Sequence, residues 1–176
     1  FQVNCPGCFM YGIPESIEIY NKYKSEGVSV LGMATAFEDF DKNTLENLQL
    51  LLETGEVIGE TKKMLQADKI SYKIPYPVAM DSLVKQSGEV TKEKMDSLIK
   101  NQIPNFDAQP ENYKNQIYDR VKDYFMSKEF SAETFEMYSL QGTPASILID
   151  RKGVLRDVSF GQNGLLESKI QKLLNE

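Results

Sequence analysis

The sequence predicts a single α/β domain: a central mixed β-sheet flanked by helices and interrupted by a helical insertion. Three observations carry this. Short runs rich in β-branched residues alternate with stretches of helical periodicity. A Cys-x-x-Cys sequence, Cys5-Pro6-Gly7-Cys8, opens the first helical stretch. The chain closes with a strand, a glycine-containing turn, a return strand and a helix. The domain is expected to span residues 1–176, with the insertion at about 82–134.

Phe1-Gln2-Val3-Asn4 alternates apolar and polar, as the end of a strand presenting the cysteines would. Four residues are short for that task, so the strand is expected to begin before Phe1. Ile13, Ile17 and Tyr20 recur at helical spacing, which predicts a helix over 8–26, kinked or broken near Pro14 and stopped by Gly27. Residues 28–34, rich in valine, predict a buried strand. A polar loop through Phe37-Glu38-Asp39-Phe40 follows, with the bland reading that it only connects.

Leu45, Leu48, Leu51 and Leu52 mark a helix over 43–53, with Gly55 after it. A shorter helix is predicted over 57–67. Pro75 and Pro77 keep their neighbours extended, which suits a strand over 76–80. The segment at 82–134 has few strand signals and two helical patterns, one over 91–100 and one after Pro110. In the second, Tyr113, Ile117, Val121, Tyr124 and Phe125 form a stripe that reads as core. Ser131 is placed to cap a short helix ending near Leu140. Residues 145–149 predict a strand, Gly153 a turn, 154–160 the return strand and 165–174 the last helix, after a loop at 161–164.

Composition excludes several classes of function. The net charge of −6 offers no basic patch for nucleic acid. It also disfavours an anionic membrane surface, and no apolar run is long enough to span a bilayer. With no histidine, Ser-His-Asp and Cys-His triads and histidine-ligated metals are excluded. Two cysteines cannot complete a four-ligand zinc site within one chain, and a metal or cluster shared between two subunits would need a dimer, so no cofactor is expected. Both cysteines lie in one motif, so no structural disulfide staples the fold, which suits the cytoplasm and is compatible with the periplasm.

Cys5 and Cys8 read as a redox dithiol. Unpaired N–H groups at a helix start favour negative charge, and the thiolate is the species that attacks a disulfide. The alternative reading of the residues is a pair of incidental cysteines.

Three features coincide: Cys5-Pro6-Gly7-Cys8 opening a helix, Gln141-Gly142-Thr143-Pro144 before a strand, and Ile147-Leu148-Ile149-Asp150-Arg151-Lys152-Gly153 leading into a hairpin and terminal helix. Together they resemble the thioredoxin-like superfamily in its TlpA-like and redoxin (AhpC/TSA-type) branch, over most of the chain outside the insertion. The resemblance implies a thioredoxin-like fold, a cis Thr143–Pro144 bond beside the dithiol, and a Thr143 backbone that pairs with an extended substrate segment. Pro6 and Gly7 are counted with Thr143 as substrate-facing and influence the reduction potential. Asn4 stands where the family often has tryptophan.

The activity implied is that of a thiol–disulfide oxidoreductase, with Cys5 as nucleophile, Cys8 as resolving cysteine and Pro144 beside them. Its partners would be a protein or small-molecule disulfide and a reductant such as a thioredoxin or glutathione system. Two alternatives stand beside it. One is a peroxiredoxin-like thiol peroxidase with antioxidant activity, although Gln2 occupies the place where such an enzyme wants threonine. The other is a redox-inactive interaction module that docks through the insertion.

Overall fold

The computed structural model describes residues 1–85, 90–127, 130–162 and 164–176. The expectations for 86–89 and 128–129, within the insertion, and for 163, in the closing loop, lie outside the described residues.

Residues 1–4 do not form the expected strand. Phe1 alone makes strand-like bonds: its nitrogen donates to the Met33 carbonyl at 2.8 Å, and its carbonyl accepts from Thr35 N–H at 2.9 Å. Beyond it, side chains take up the backbone groups that a neighbouring strand would bond. Thr61 Oγ1 donates to the Val3 carbonyl at 3.0 Å, and the Asn4 N–H donates to Asn43 Oδ1 at 2.8 Å.

A π-helical turn, Cys8–Gly12, leads into helix α1 (Ile13–Tyr23), and a 3-10 turn, Lys24–Glu26, follows it. The irregularity expected at Pro14 therefore precedes it. Pro14 falls in the first turn of α1, directly after the π-helical turn; it has no N–H to give the Phe9 carbonyl, which accepts from the Tyr72 hydroxyl instead. Gly27, at φ 89°, ends the helix in a conformation that costs other residues more.

The strand expected over 28–34 is confined to β1 (Gly32–Ala34). It pairs in parallel with β2 (Val78–Met80), Gly32 opposite Val78. A parallel pair needs a long crossover. Helices α2 (Leu45–Thr54) and α3 (Gly59–Leu65) lie within it. Thr44 starts α2 by accepting from Asn47 N–H.

The segment read as a helical insertion, with few strand signals, also holds two strands. β3 (Leu83–Lys85) and β4 (Phe130–Ala132) pair antiparallel, Leu83 opposite Ala132. Between them lie α4 (Lys92–Gln102) and α5 (Glu111–Ser127). Of the aromatic stripe on α5, Phe125 is buried, but Tyr113 and Tyr124 are exposed, so only part of the stripe is core.

Helix α6 (Glu133–Met137) follows directly. Ser131 does not cap it: that residue lies within β4. The cap is the buried carboxylate of Asp81, which accepts from Thr134 N–H at 2.9 Å, Phe135 N–H at 3.2 Å and the Thr35 hydroxyl at 2.8 Å. Burial pushes this carboxyl's pKa up, but the bonds from Thr134, Thr35 and Phe135 outweigh it and hold the pKa below its ordinary value.

The end of the chain follows expectation. β5 (Ala145–Ile149) and β6 (Leu155–Phe160) form an antiparallel hairpin, and α7 (Leu166–Leu174) closes the chain. Asp150 organises the turn by accepting from Lys152 and Val154 N–H.

Among the described residues the strands form three two-stranded pieces, not the one mixed sheet expected. A slot of about 240 Å³ lined by Phe1, Ile13, Val30 and Ile147 runs between the β1 and β5 pieces. The main core joins Val3, Cys8, Phe9 and Ile13 to Ala34, Leu48, Leu51 and Val57. A second cluster, Ile19, Tyr23 and Ile170, packs α1 against α7. No helix among the described residues is long and apolar enough to cross a membrane.

Candidate functional site

Cys5 and Cys8 are joined as a disulfide with their Cα atoms 5.4 Å apart, an ordinary separation for a bridged pair. The two sulfurs sit in different surroundings. Cys8 is fully buried in the main core, whereas Cys5 is partly exposed. This difference arises from the helix start. The Cys8 N–H turns back toward Cys5, donating to its carbonyl at 3.0 Å and lying 3.2 Å from its sulfur. The Cys8 side chain is thereby turned inward with Phe9 and Ile13.

The fold brings the distant Thr143-Pro144 onto this sulfur. The Thr143–Pro144 bond is cis. The Thr143 carbonyl oxygen lies 3.6 Å from Cys5 Sγ, and the Thr143 hydroxyl lies 3.4 Å from it. Pro144 rests on Gly12, so closely that a Cβ at Gly12 would come within 2.5 Å of the proline Cβ. At Gly7 a Cβ would sit 3.7 Å from Pro144 Cδ, an ordinary contact. Pro6 and Gly7 are half-buried beside the cysteines. All six residues singled out from the sequence, Cys5, Pro6, Gly7, Cys8, Thr143 and Pro144, thus belong to the dithiol loop and the proline loop that faces it.

Sequence reasoning missed the residues that hold this arrangement. Gln2 is buried, and its Oε1 accepts from the Thr143 hydroxyl at 3.1 Å. Asn4 is buried too. Its amide donates to Asp39 Oδ2 at 2.6 Å, and its Oδ1 accepts from Glu60 N–H at 2.7 Å, at the start of α3. The polar loop at 37–40 therefore anchors the segment that carries Cys5. The available signal was the placing of two amide side chains at alternate positions just before the dithiol. Tyr72 fastens the far side by donating to the Phe9 carbonyl at 2.8 Å within the π-helical turn.

Among the described residues no group of three or more cysteine or carboxylate side chains is gathered to hold a metal ion. The chemistry available is that of the sulfur pair itself. The sulfur that a partner can reach is Cys5, and the groups nearest it, an N–H and a hydroxyl, are hydrogen-bond donors.

No family model matches the chain, and no curated protein matches it in sequence. Solved structures do match. One is a thiol-disulfide isomerase from Corynebacterium glutamicum, and another is a thioredoxin-like superfamily protein. Each is 25% identical, with a TM-score of 0.57, over all of this chain and 77% of the other. The fold is thioredoxin-like, of the α/β class. The likeness and the Cys5–Cys8 pair together support thiol–disulfide oxidoreductase chemistry in general terms.

Proposed function

We propose that the protein is an enzyme that reduces or exchanges disulfides in a partner, with Cys5 as nucleophile and Cys8 as resolving cysteine. The observation that carries this reading is the asymmetry of the pair. Cys5 is reachable and faces the Cys8 N–H and the Thr143 hydroxyl, while Cys8 is sealed in the core. Hydrogen-bond donors aimed at a sulfur stabilise its thiolate.

In the reducing direction the Cys5 thiolate attacks one sulfur of the partner's disulfide. A mixed disulfide forms, and the partner's other sulfur leaves as a thiolate that takes a proton from solvent. Cys8, losing its proton, then attacks Cys5. The Cys5–Cys8 bond closes, the partner's second thiol leaves, and two electrons have passed to the partner. An external thiol of the thioredoxin or glutathione type restores the dithiol. Isomerisation uses the same first step but lets the partner's own thiol displace Cys5, with no net electron transfer. Thr143, with its carbonyl beside Cys5, is assigned to pairing with the partner's extended backbone, and Pro6, Gly7 and Pro144 to the surface the partner meets.

The finer placement in the TlpA-like redoxin branch rests on Cys5-Pro6-Gly7-Cys8 and Gln141-Gly142-Thr143-Pro144. A reducing, cytoplasmic setting is part of the proposal, suited to a chain with both cysteines in one motif.

Trapping tests the assignment. Reduced Cys8→Ser protein should accumulate a mixed disulfide through Cys5 when given a disulfide-bonded peptide, and wild type should release the reduced peptide. Trapping by Cys5→Ser alone would reverse the roles. Rapid, saturating consumption of hydrogen peroxide, without peptide reduction, would replace this reading with the peroxidase.

A further inference from the structure

We propose that the cavity between the insertion and the loop leading to Thr143 binds apolar side chains of the polypeptide that carries the target disulfide. The substrate class is then protein. This rests on the reading that Cys5 exchanges with a partner disulfide, and it adds a binding site to it.

The cavity measures about 800 Å³ and is walled by Leu98 and Ile99 of α4, Val121 and Phe125 of α5, Phe135 of α6, and Leu140. That volume falls in the range of small-molecule sites, roughly 300–1,000 Å³. It is far more than one side chain fills. Ile99 and Phe125 are buried in its wall, while Met137, 74% exposed, stands at its rim. A flexible thioether at a rim adapts to ligands of varied shape.

Apolar side chains make up most of the wall. Lys94 and Arg120 also line the cavity, and the Lys94 Nζ lies 3.5 Å from Glu136 Oε2 and 4.9 Å from the Phe125 ring centre. Lys94 thus already faces a carboxylate and an aromatic ring, and the apolar stretch of wall formed by Leu98, Ile99, Val121, Phe125, Phe135 and Leu140 suits a neutral apolar group.

Position decides for a polypeptide. Leu140 and Gln141 line the cavity, and two residues further on the Thr143 carbonyl lies 3.6 Å from Cys5 Sγ. Extended chain advances roughly 3.3–3.6 Å per residue. The wall from Gln141 to Thr143, which bends at Gly142, is therefore at most about 7 Å long. A substrate running extended along it, with its cysteine at Cys5, brings side chains two and three residues away to the cavity. A small disulfide has no side chain to place there.

The test uses the whole chain with Cys8→Ser and symmetric disulfides of short peptides. Leucine or serine stands two and three residues either side of the peptide cysteine. Mixed-disulfide formation at Cys5 is followed by mass spectrometry, with hydroxyethyl disulfide as the small substrate. The leucine peptide should react about tenfold faster than the serine peptide, the scale of burying one such side chain. Ser97, exposed on α4 and lining the cavity, gives a filling variant, Ser97→Trp. It should bring the ratio near one and leave the hydroxyethyl disulfide rate unchanged. Met137→Glu at the rim should lower the ratio too, and serves if the tryptophan variant misfolds.

Equal rates for the two peptides, or a preference that survives both variants, would overturn the proposal while leaving Cys5 chemistry intact. So would self-association removed by Ser97→Trp in the absence of any peptide preference, which would seat a second copy there. Failure to react even with hydroxyethyl disulfide would overturn the proposed function and this inference together.

Discussion

The Thr143 hydroxyl lies 3.1 Å from Gln2 Oε1 and 3.4 Å from Cys5 Sγ, so a single proton has two acceptors within reach. In the disulfide form the amide oxygen is the stronger acceptor. A thiolate at Cys5 reverses that order, because an ionised acceptor makes the stronger bond. Gln2 is held for this by its own amide, which donates to the Glu38 carbonyl at 3.3 Å.

Gln2→Leu keeps the volume and removes the acceptor. Urea unfolding of the oxidised protein should show a loss of about 1–2 kcal/mol, the scale of one buried hydrogen bond and the group it leaves unsatisfied. Exchange between Cys5 and hydroxyethyl disulfide should slow several-fold as Thr143 loses its tether. Unchanged stability and rate together would mean that Gln2 only fills space.

Gly12→Ala sets two effects against each other. Alanine favours helix over glycine by about 0.8–1.0 kcal/mol. Its Cβ, however, would meet Pro144 Cβ at 2.5 Å, and such overpacking costs typically about 1–3 kcal/mol. The clash should win, giving a lower melting temperature and slower exchange at Cys5. Gly7→Ala, with 3.7 Å to Pro144 Cδ, should melt at or slightly above the wild-type temperature. Equal melting of the two variants would refute the close packing of Gly12 on the proline.

Alkylation of the reduced protein should be selective. Cys5 is partly exposed and Cys8 fully buried. A brief iodoacetamide pulse under native conditions should label Cys5 at least about tenfold faster, read by peptide mass mapping. Comparable labelling of both would contradict the sealed position of Cys8.

Alkali should loosen the dithiol helix at Tyr72. Burial pushes the pKa of this hydroxyl, which donates to the Phe9 carbonyl, from 10.0 up to about 12, with the nearby Tyr76 adding to the shift. The folded state thus keeps a proton that the unfolded chain releases. The contribution is complete below pH 10 and is lost as pH rises toward about 12. Wild type should therefore lose stability over that window more steeply than Tyr72→Phe. Parallel pH profiles would count against it.

The parts of the site legible in the sequence were those specified locally. Cys5 through Cys8 and Thr143-Pro144 are runs of adjacent residues whose chemistry travels with their spacing. What escaped was held by side chains acting across long separations. Gln2 meets Thr143 across 141 positions, and Asp81 caps α6 across more than 50. Ser131 looked like the cap because its type and position fit, but a carboxylate from another part of the fold supplied the bonds instead. Residues 1–4 alternated like a strand, yet Asn43 and Thr61 satisfied their backbone. Periodicity reports which side of a segment is apolar, not what its backbone bonds to.

The root of the insertion has a further consequence. The chain departs at Leu83 and comes back at Ala132, directly opposite across the β3–β4 ladder. Asp81 secures the returning helix from the side of the main body, so the two ends of the insertion are fixed beside each other. On the proposed reading, chemistry and choice of client lie in different stretches of one chain, and a graft at this doorway should redirect the same two sulfurs to another protein.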